Sequence, residues 1–344
     1  MSLLSDVAYE HQARRIRLAQ RTANRVRSVW GQADVSALDA WWDVLAPQVT
    51  GVVTAAQVTA ARQSAPYLNN VSQVYGGAQG ASLVPEAFGG VMLDGREVGP
   101  ALFGAVTTTK KAIGAGMSPA AAMQAGMTFL GLLAKSAVTD MGRQADNTLA
   151  TGRGYTHYVR LVNPGACSRC AILAGSDRFS KPFKRHPACK CTTVPIKDVD
   201  DIPKGMFASP EEYFESLSKA EQDRVFTKSG AYAIRNGADP ISVVNARRGA
   251  LTGGGLDGSP SRLVKTTIGR KADGSPLQVF LTGEGTTARS AFGRQELALT
   301  ESYTKVGRYR RTTTARLMPE QIQVMAGGNA ERAAELFRKY GYLR

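Results

Sequence analysis

Cysteine is absent from this 344-residue chain except between positions 167 and 191, where all four cysteines occur together with one of the three histidines, His186. Disulfides distributed along the whole chain, of the kind that stabilise small secreted domains, are therefore excluded. A chain of this length with 43% hydrophobic residues can form two or three domains that each bury a core. The clustering of the thiols instead indicates one local role.

Long apolar runs are also missing. The longest, around Met127 to Ala134, is interrupted by Thr128 and Gly131 and is far shorter than the roughly 20 residues that cross a bilayer. The first residues include Asp6 and have no basic segment followed by an apolar one, so they do not resemble a secretory signal. We therefore expect a protein that is made and used without export and that has no membrane partner.

Common enzyme motifs are scarce. No G-x-x-x-x-G-K-[ST] loop is present, so the sequence indicates no nucleotide-binding loop. His11 lies in an arginine-rich helical segment and His157 in a β-prone one, and neither has a serine or aspartate at a spacing typical of a catalytic triad. Because triads are assembled in space, the sequence alone does not exclude one, but it identifies no catalytic residue.

Acidic residues are outnumbered, since 28 Asp and Glu face 43 Lys and Arg and give a net charge of +15. The excess is concentrated in residues 1–30, 151–204 and 245–344, which carry +4, +6 and +9. Clustered basic residues bind phosphate backbones by releasing counterions. They can also form a solvated surface that keeps a protein soluble. The composition is consistent with both interpretations.

One basic stretch, GRYRRTTTAR, combines charge with an aromatic ring that can stack on a base. Its residues Arg308, Arg310 and Arg311 are the candidates for nucleic-acid contact. The alternatives are a solvated face or a strip that docks on an acidic protein surface.

The predicted fold class is α+β and predominantly helical. Helical spacing of apolar residues from Leu3 onward predicts a helical N-terminal domain over residues 1–150, in which the Gly- and Asn-rich residues 64–100 form loops. Serines that are followed by proline or by glutamate three positions later mark helix starts along the chain. These starts are Ser118, Ser209 and Ser218.

The remainder of the chain is predicted to form two further parts. Two β-prone segments, 155–162 and 192–197, flank the cysteine cluster within a small metal-stapled α+β domain over residues 151–250. Residues 251–344 are predicted to be a basic C-terminal arm, with a hairpin around Asp273-Gly274 and helices at the end.

The cluster has the spacing C-x2-C, fifteen residues, then H-x2-C-x-C. A C-x2-C turn can place two thiolates on one metal ion, and a second pair from the far end of the loop completes the tetrahedral site that zinc prefers. Five potential ligands compete for four positions, so the spacing does not decide which four bind or whether His186 supports the ligands from outside. The candidates are Cys167, Cys170, His186, Cys189 and Cys191.

The cluster has three other interpretations. Two disulfides are disfavoured because, without export, the compartment of synthesis is reducing. A redox C-x-x-C pair belongs at a helix start in a thioredoxin-like unit, and Gly165 precedes this one instead. A catalytic cysteine assisted by His186 is a further alternative. We favour structural zinc in a closed four-ligand site, because such a site lacks the open position that metal catalysis requires.

The cluster and its surroundings resemble a known family. VRLVNPGACSRCAILAG followed by RHPACKCTTVP is similar to the C-x2-C … H-P-x-C-x-C signature of the phage Mu F-like minor head proteins of tailed bacteriophages. The downstream stretch LSKAEQDRVFTKSGAYAIRNGADPISVVNARRG resembles members from actinobacteriophages, which are also labelled capsid maturation proteases. The motif spans about 35 residues, and the wider likeness covers residues 155–250.

The resemblance implies a virion component that is assembled in the cytoplasm of the host bacterium and lies in the phage head near the portal. Its implied partners are the portal protein, the major capsid protein and packaged double-stranded DNA, with roles in head assembly and DNA packaging or delivery. A non-enzymatic protein is expected, and a head maturation protease is the alternative. The resemblance carries the cysteines and His186 over as a structural metal site and supplies no catalytic residue.

Overall fold

The structure is a computed structural model that describes residues 3–77, 80–162, 165–247, 263–270, 274–300 and 302–343. Helices account for 59% of it and strands for 11%. The predicted fold class, a predominantly helical α+β protein, is confirmed. Residues 251–262 of the predicted arm and Asp273 of the predicted hairpin lie outside the described residues.

Contacts divide the chain into two compact units, of which the first comprises Met1–Ala166 and Leu173–Ala208. Its helices are α1 (Leu3–Trp30), α2 (Leu38–Arg62), α3 (Ser64–Tyr75), α4 (Val98–Leu102), α5 (Gly104–Gly114) and α6 (Pro119–Gly152). Its strands are β1 (His157–Leu161), β2 (Ser176–Arg178) and β3 (Thr192–Ile196).

Helix α6 packs against α1, α2, α3 and α5. It begins where the sequence predicts, because the Ser118 side chain accepts a hydrogen bond from the Ala121 amide and Pro119 occupies the first turn. Gly126 allows its neighbours to approach closely, since a Cβ there would lie 2.7 Å from the Trp30 ring. Trp30 is fully buried in the apolar core that α6 shares with α1 and α2.

The prediction of loops over residues 64–100 is wrong at its end, where α4 begins at Val98, and over residues 64–75. Helix α3 forms there because Tyr67, Leu68 and Val71 share one face and are completely buried. They pack with the start of α1, the end of α6 and the strands in a second apolar core. Burial of this face outweighs the weak helix propensity of the two asparagines and the internal proline.

The three strands form an antiparallel sheet of order β2-β1-β3. The register pairs His157 with Ile196 and Leu161 with Thr192. The predicted strands on either side of the cysteine cluster are thus confirmed and lie next to each other. Since β1 and β3 are paired, the chain that leaves β1 through the first two cysteines returns to β3 immediately after Cys191.

The second unit comprises Cys167–Ile172 and Ser209–Arg344. Its helices are α7 (Ser168–Ala171), α8 (Pro210–Glu215), α9 (Lys219–Phe226), α10 (Lys228–Arg235), α11 (Pro240–Ala246), α12 (Ala291–Leu299), α13 (Pro319–Ala326) and α14 (Ala330–Lys339). Its strands are β4 (Leu263–Arg270), β5 (Pro276–Thr282), β6 (Tyr303–Val306), β7 (Tyr309–Thr312) and β8 (Arg316–Leu317).

Local signals for this unit are confirmed. Ser209 caps α8, and Ser218 forms a reciprocal capping box with Glu221 at the start of α9. Strands β4 and β5 pair as an antiparallel hairpin on either side of Gly274, which has a positive φ of 79°. The predicted terminal helices correspond to α13 and α14.

Among the described residues, one helical stretch, Val35–Tyr75, is long and apolar enough to cross a membrane by length and composition alone. It contains the buried core residues Val49 and Val53. A buried core helix meets the same criteria, so this stretch is weak evidence for a membrane span.

Candidate metal centre and basic hairpin

The structure brings the five predicted ligands into two overlapping groups. The ligand atoms of Cys167, Cys170 and His186 lie within 4.8 Å of one another, and so do the sulfur atoms of Cys170, Cys189 and Cys191. Tetrahedral zinc with Zn–S bonds near 2.3 Å holds its sulfurs about 3.8 Å apart, so small adjustments suffice. The cluster can therefore hold a metal ion, and Cys170 belongs to both groups.

The four cysteines of the cluster differ in their burial. Cys170, Cys189 and Cys191 are buried, whereas Cys167 is exposed. Thiolates are the forms that bind metal, and burying several negative groups together is costly unless a cation compensates them. A metal ion at the point where the sulfur atoms converge would supply that compensation.

The His186 ring is oriented by its neighbour. Its Nδ1 lies 2.9 Å from the carbonyl oxygen of Pro187. A carbonyl only accepts, so Nδ1 carries the proton and Nε2 carries the lone pair that a metal requires. This is the arrangement in which a carbonyl fixes the tautomer of a histidine ligand, and the sequence could not reveal it.

Two tight turns set the spacing of the ligands. In the first, the Cys170 amide donates to the Cys167 carbonyl over 2.9 Å as α7 begins. In the second, the Cys189 amide donates to the His186 carbonyl over 3.1 Å. Ala188 lies within the second turn, between His186 and Cys189, and has a φ of 53°. This left-handed conformation is unusual for a residue with a Cβ and requires support from its surroundings.

That support comes from a polar stripe along α6, which we define as Ser136, Asp140, Arg143 and Asn147. These residues lie at helical spacings of four, three and four, so they share one face. They contact residues spread along the segment 185–193. Ser136 accepts from the Ala188 amide, Asp140 pairs with Arg185, Arg143 donates to the Cys189 and Cys191 carbonyls, and Asn147 accepts from Thr193.

Arg143 makes the closest link between the stripe and the ligands. Its Nη2 donates to the carbonyl oxygens of Cys189 and Cys191 over 3.1 and 2.9 Å, and its Nε donates to Cys191 over 3.2 Å. Only 3% of Arg143 is exposed, and its guanidinium also pairs with Asp140. Burial raises the pKa of Asp140, and the two arginine partners oppose that rise. The guanidinium therefore fixes the C-x-C backbone from the side of α6.

Sequence reasoning did not find this stripe. A signal was present, because four polar residues at i, i+4, i+7 and i+11 interrupt a helix that is otherwise rich in Ala, Leu, Met and Gly. Such a pattern normally marks a solvent face. Here three of the four, Ser136, Asp140 and Arg143, are buried, and their partners are nearly fifty residues away in the chain.

The three predicted nucleic-acid residues lie in the β6–β7 hairpin. Arg308 and Arg310 are exposed, whereas Arg311 is half-buried and its Nε donates to the Thr286 hydroxyl over 2.9 Å. Arg308 stacks over the Tyr309 ring at 5.1 Å. Two of the three arginines are thus presented outward, while the third anchors the hairpin to the chain before α12.

The residue types of a hydrolase triad do meet in the core, but in a different order. Ser64 donates to Asp146 over 2.7 Å, and the Nε2 of His11 lies 3.0 Å from the other carboxylate oxygen. In a triad the histidine lies between the serine and the acid, whereas here Asp146 lies in the middle. All three are at most 1% exposed.

This core group is a buried ion pair. Arg15 contacts both His11 and Asp146, and the His11 ring stacks on Tyr67 at 4.0 Å. Burial alone would raise the pKa of Asp146, but Arg15 and His11 hold it well below its usual range. Burial lowers the pKa of His11 and outweighs the attraction of Asp146. The group joins α1, α3 and α6.

Comparisons of the chain with models of protein families, with curated proteins and with solved structures find no match. Its function is therefore inferred from its own residues.

Proposed function

We propose that this chain is a minor head protein of a tailed bacteriophage, of the phage Mu F-like type, that acts at the portal or on the packaged genome. The observation that carries the proposal is the motif C-x2-C … H-P-x-C-x-C, all of whose cysteines and histidine belong to the two groups that could hold a metal ion. A chance occurrence of the spacing would have no reason to bring these residues together.

The cluster is proposed to bind structural zinc. Cys167, Cys170 and two of His186, Cys189 and Cys191 form a closed tetrahedral site, in which the ion joins the two ends of the segment that connects β1 to β3. Sulfur and imidazole donors favour zinc over magnesium or calcium, which prefer oxygen. With all four positions filled by side chains, the ion stabilises the fold and does not bind substrate.

The proposed partners are the portal protein, the major capsid protein and packaged double-stranded DNA, and the proposed location is the phage head near the portal. The net charge of +15 supports contact with DNA, because each phosphate neutralised by a basic side chain releases a counterion. Arg308 and Arg310 support it further, since both are exposed.

Mass spectrometry of purified phage particles tests the proposal directly. The chain is expected in intact particles and in the head fraction, and its absence from particles would overturn the proposal. Elemental analysis of the purified chain should find about one zinc per molecule.

The alternative, a head maturation protease, is tested separately by incubating the purified chain with its scaffold or major capsid protein. Specific cleavage that is abolished by a single Ser, Cys or His substitution away from the metal ligands would establish the protease in place of the non-enzymatic protein. No cleavage is expected.

A further inference from the structure

The β6–β7 hairpin presents one face that we call the basic-aromatic face, defined by Tyr303, Lys305 and Arg310. The register pairs Lys305 with Arg310 and Tyr303 with Thr312. Because side chains alternate between the faces of a strand, these three residues lie on the same side of the hairpin. All three are exposed, and 45% of Tyr303 is accessible.

The hairpin is strongly basic. Residues 303–312, YTKVGRYRRT, contain four basic residues and no acidic one. Within the part of the chain that the structure describes, no carboxylate forms an ion pair with Lys305 or Arg310. The Arg310 guanidinium lies 5.5 Å from the centre of the Tyr303 ring. The cation therefore lies over one side of the aromatic ring, and both side chains remain exposed.

A cleft of about 440 Å³ adjoins this face and is bounded by Arg310, Tyr303 and the end of α12, including Leu299. Leu299 is 73% exposed. The cleft thus has an apolar and aromatic wall with a cation at its rim. Planar, uncharged rings that carry a phosphate fit such a surface, because the ring stacks while the phosphate meets the cation.

The other tyrosine of the hairpin does not offer the same surface. Tyr309 lies on the opposite face, where the Arg289 guanidinium covers its ring at 4.0 Å and Arg308 stacks at 5.1 Å. Both arginines also donate to the Tyr309 hydroxyl. Tyr303 is therefore the hairpin ring with room for a ligand.

We propose that the basic-aromatic face binds single-stranded nucleic acid, with an unpaired base stacked on Tyr303 and the adjacent phosphates on Lys305 and Arg310. A duplex keeps the faces of its bases stacked inside the helix, so it would use the two charges and leave the ring and the cleft empty. An acidic protein surface would likewise use only the charges. This inference rests on the nucleic-acid contact in the proposed function and assigns unpaired strands, in addition to the packaged duplex, to this face.

The test measures the fluorescence anisotropy of a labelled oligothymidylate, and of a duplex of the same length, titrated with the full chain. The wild-type chain should bind the single strand more tightly than the duplex. Tyr303→Ala should weaken single-strand binding by about 5- to 150-fold, the range for loss of one base–aromatic stack, and leave duplex binding nearly unchanged. Arg310→Gln should weaken both and reduce the salt slope for the single strand by about 0.7.

Two matched variants control for folding and for charge. Tyr303→Phe keeps the ring and should bind as tightly as the wild type. Arg224→Gln removes an exposed arginine from α9, outside the three basic blocks, and should leave single-strand affinity unchanged. Tyr303 is exposed, so the melting temperatures of all variants should match the wild type.

Three results would overturn the inference. The first is tighter binding of the duplex than of the single strand, and the second is unchanged single-strand binding in Tyr303→Ala. The third is that polyglutamate displaces the single strand equally well from the wild type and from Tyr303→Ala, which would mean that only the charges bind. None of these outcomes bears on whether the chain is found in phage particles, so failure of this inference is distinguishable from failure of the proposed function.

Discussion

Metal removal should affect the two halves of the cysteine cluster differently. The half that contains His186, Cys189 and Cys191 is held by the polar stripe of α6, whereas the backbone hydrogen bonds around Cys167 and Cys170 are local to α7. A helix of four residues is not stable by itself. Chelation should therefore release residues 167–172 while 185–193 stay protected.

The expected protection can be estimated from the contacts. A hydrogen bond from a charged donor contributes about 1.5–3 kcal/mol, and Arg143 donates to two carbonyls while Ser136 accepts one amide. Opening 185–193 breaks these bonds together, at a cost of about 3–4 kcal/mol even with the lower values. Because about 1.4 kcal/mol is a factor of ten, exchange in this segment should remain slowed roughly 10²- to 10³-fold without metal.

Hydrogen exchange followed by mass spectrometry, with and without a chelator, measures both segments in one experiment. The Ala188 and Cys189 amides report on the second half, and the Cys170 and Ala171 amides on the first. Arg143→Lys should remove the residual protection of 185–193 after chelation, because an ammonium cannot reproduce the forked donors.

Arg25→Lys, the same change at an exposed position of α1, should not alter this protection. Equal loss of protection in both segments of the chelated wild type would refute the role of the stripe. An unaltered exchange pattern on chelation would refute the metal site itself.

Three further outcomes are expected. Asp146→Asn should lower the unfolding free energy in urea by about 3–5 kcal/mol because it leaves a buried guanidinium unpaired, whereas Asp39→Asn, at an exposed pair, should cost less than about 1 kcal/mol. The unfolding free energy should decline as the pH falls below about 6.5, because the pKa of His11 is lowered in the folded chain and the unfolded chain therefore binds the proton first. An equally steep dependence of the unfolding free energy on pH in His11→Gln would contradict this. Gly126→Ala should destabilise the chain through a clash with the buried Trp30 indole, while Gly51→Ala, in open space on α2, should stabilise it by about 0.5–1 kcal/mol. Melting temperatures that change in the same direction in both variants would contradict the packing around Gly126.

Features with local causes were predictable from the sequence. The helix starts at Ser118, Ser209 and Ser218 depend on a side chain that caps an amide three residues away, and all three caps form. The strands at 157–161 and 192–196 follow from runs of β-branched and aromatic residues. In each case the residues that carry the signal are also the residues that make the contact.

Features that depend on distant partners were missed. Helix α3 forms because its apolar face meets residues that are far away in the chain, and no local propensity indicates that encounter. The polar stripe of α6 was overlooked for the same reason, since buried polar side chains are stable only with partners. The sequence identified the types of ligand, but it did not reveal the polar stripe of α6 that holds Cys189 and Cys191 in place.

The buried group around Asp146 bears on the protease alternative. Ser64 and His11 both bond to the carboxylate and are inaccessible, so neither can attack a peptide bond from this arrangement. A nucleophile assisted by histidine would have to be sought where a thiol is exposed beside an imidazole, and Cys167 with His186 meets that description. Both residues are also candidate ligands, and a thiolate bound to zinc in a closed site is not available to attack substrate. Metal occupancy and cysteine catalysis at this position therefore exclude each other, and one zinc ion bound by four side chains of the cluster would argue against a protease that uses Cys167 as its nucleophile.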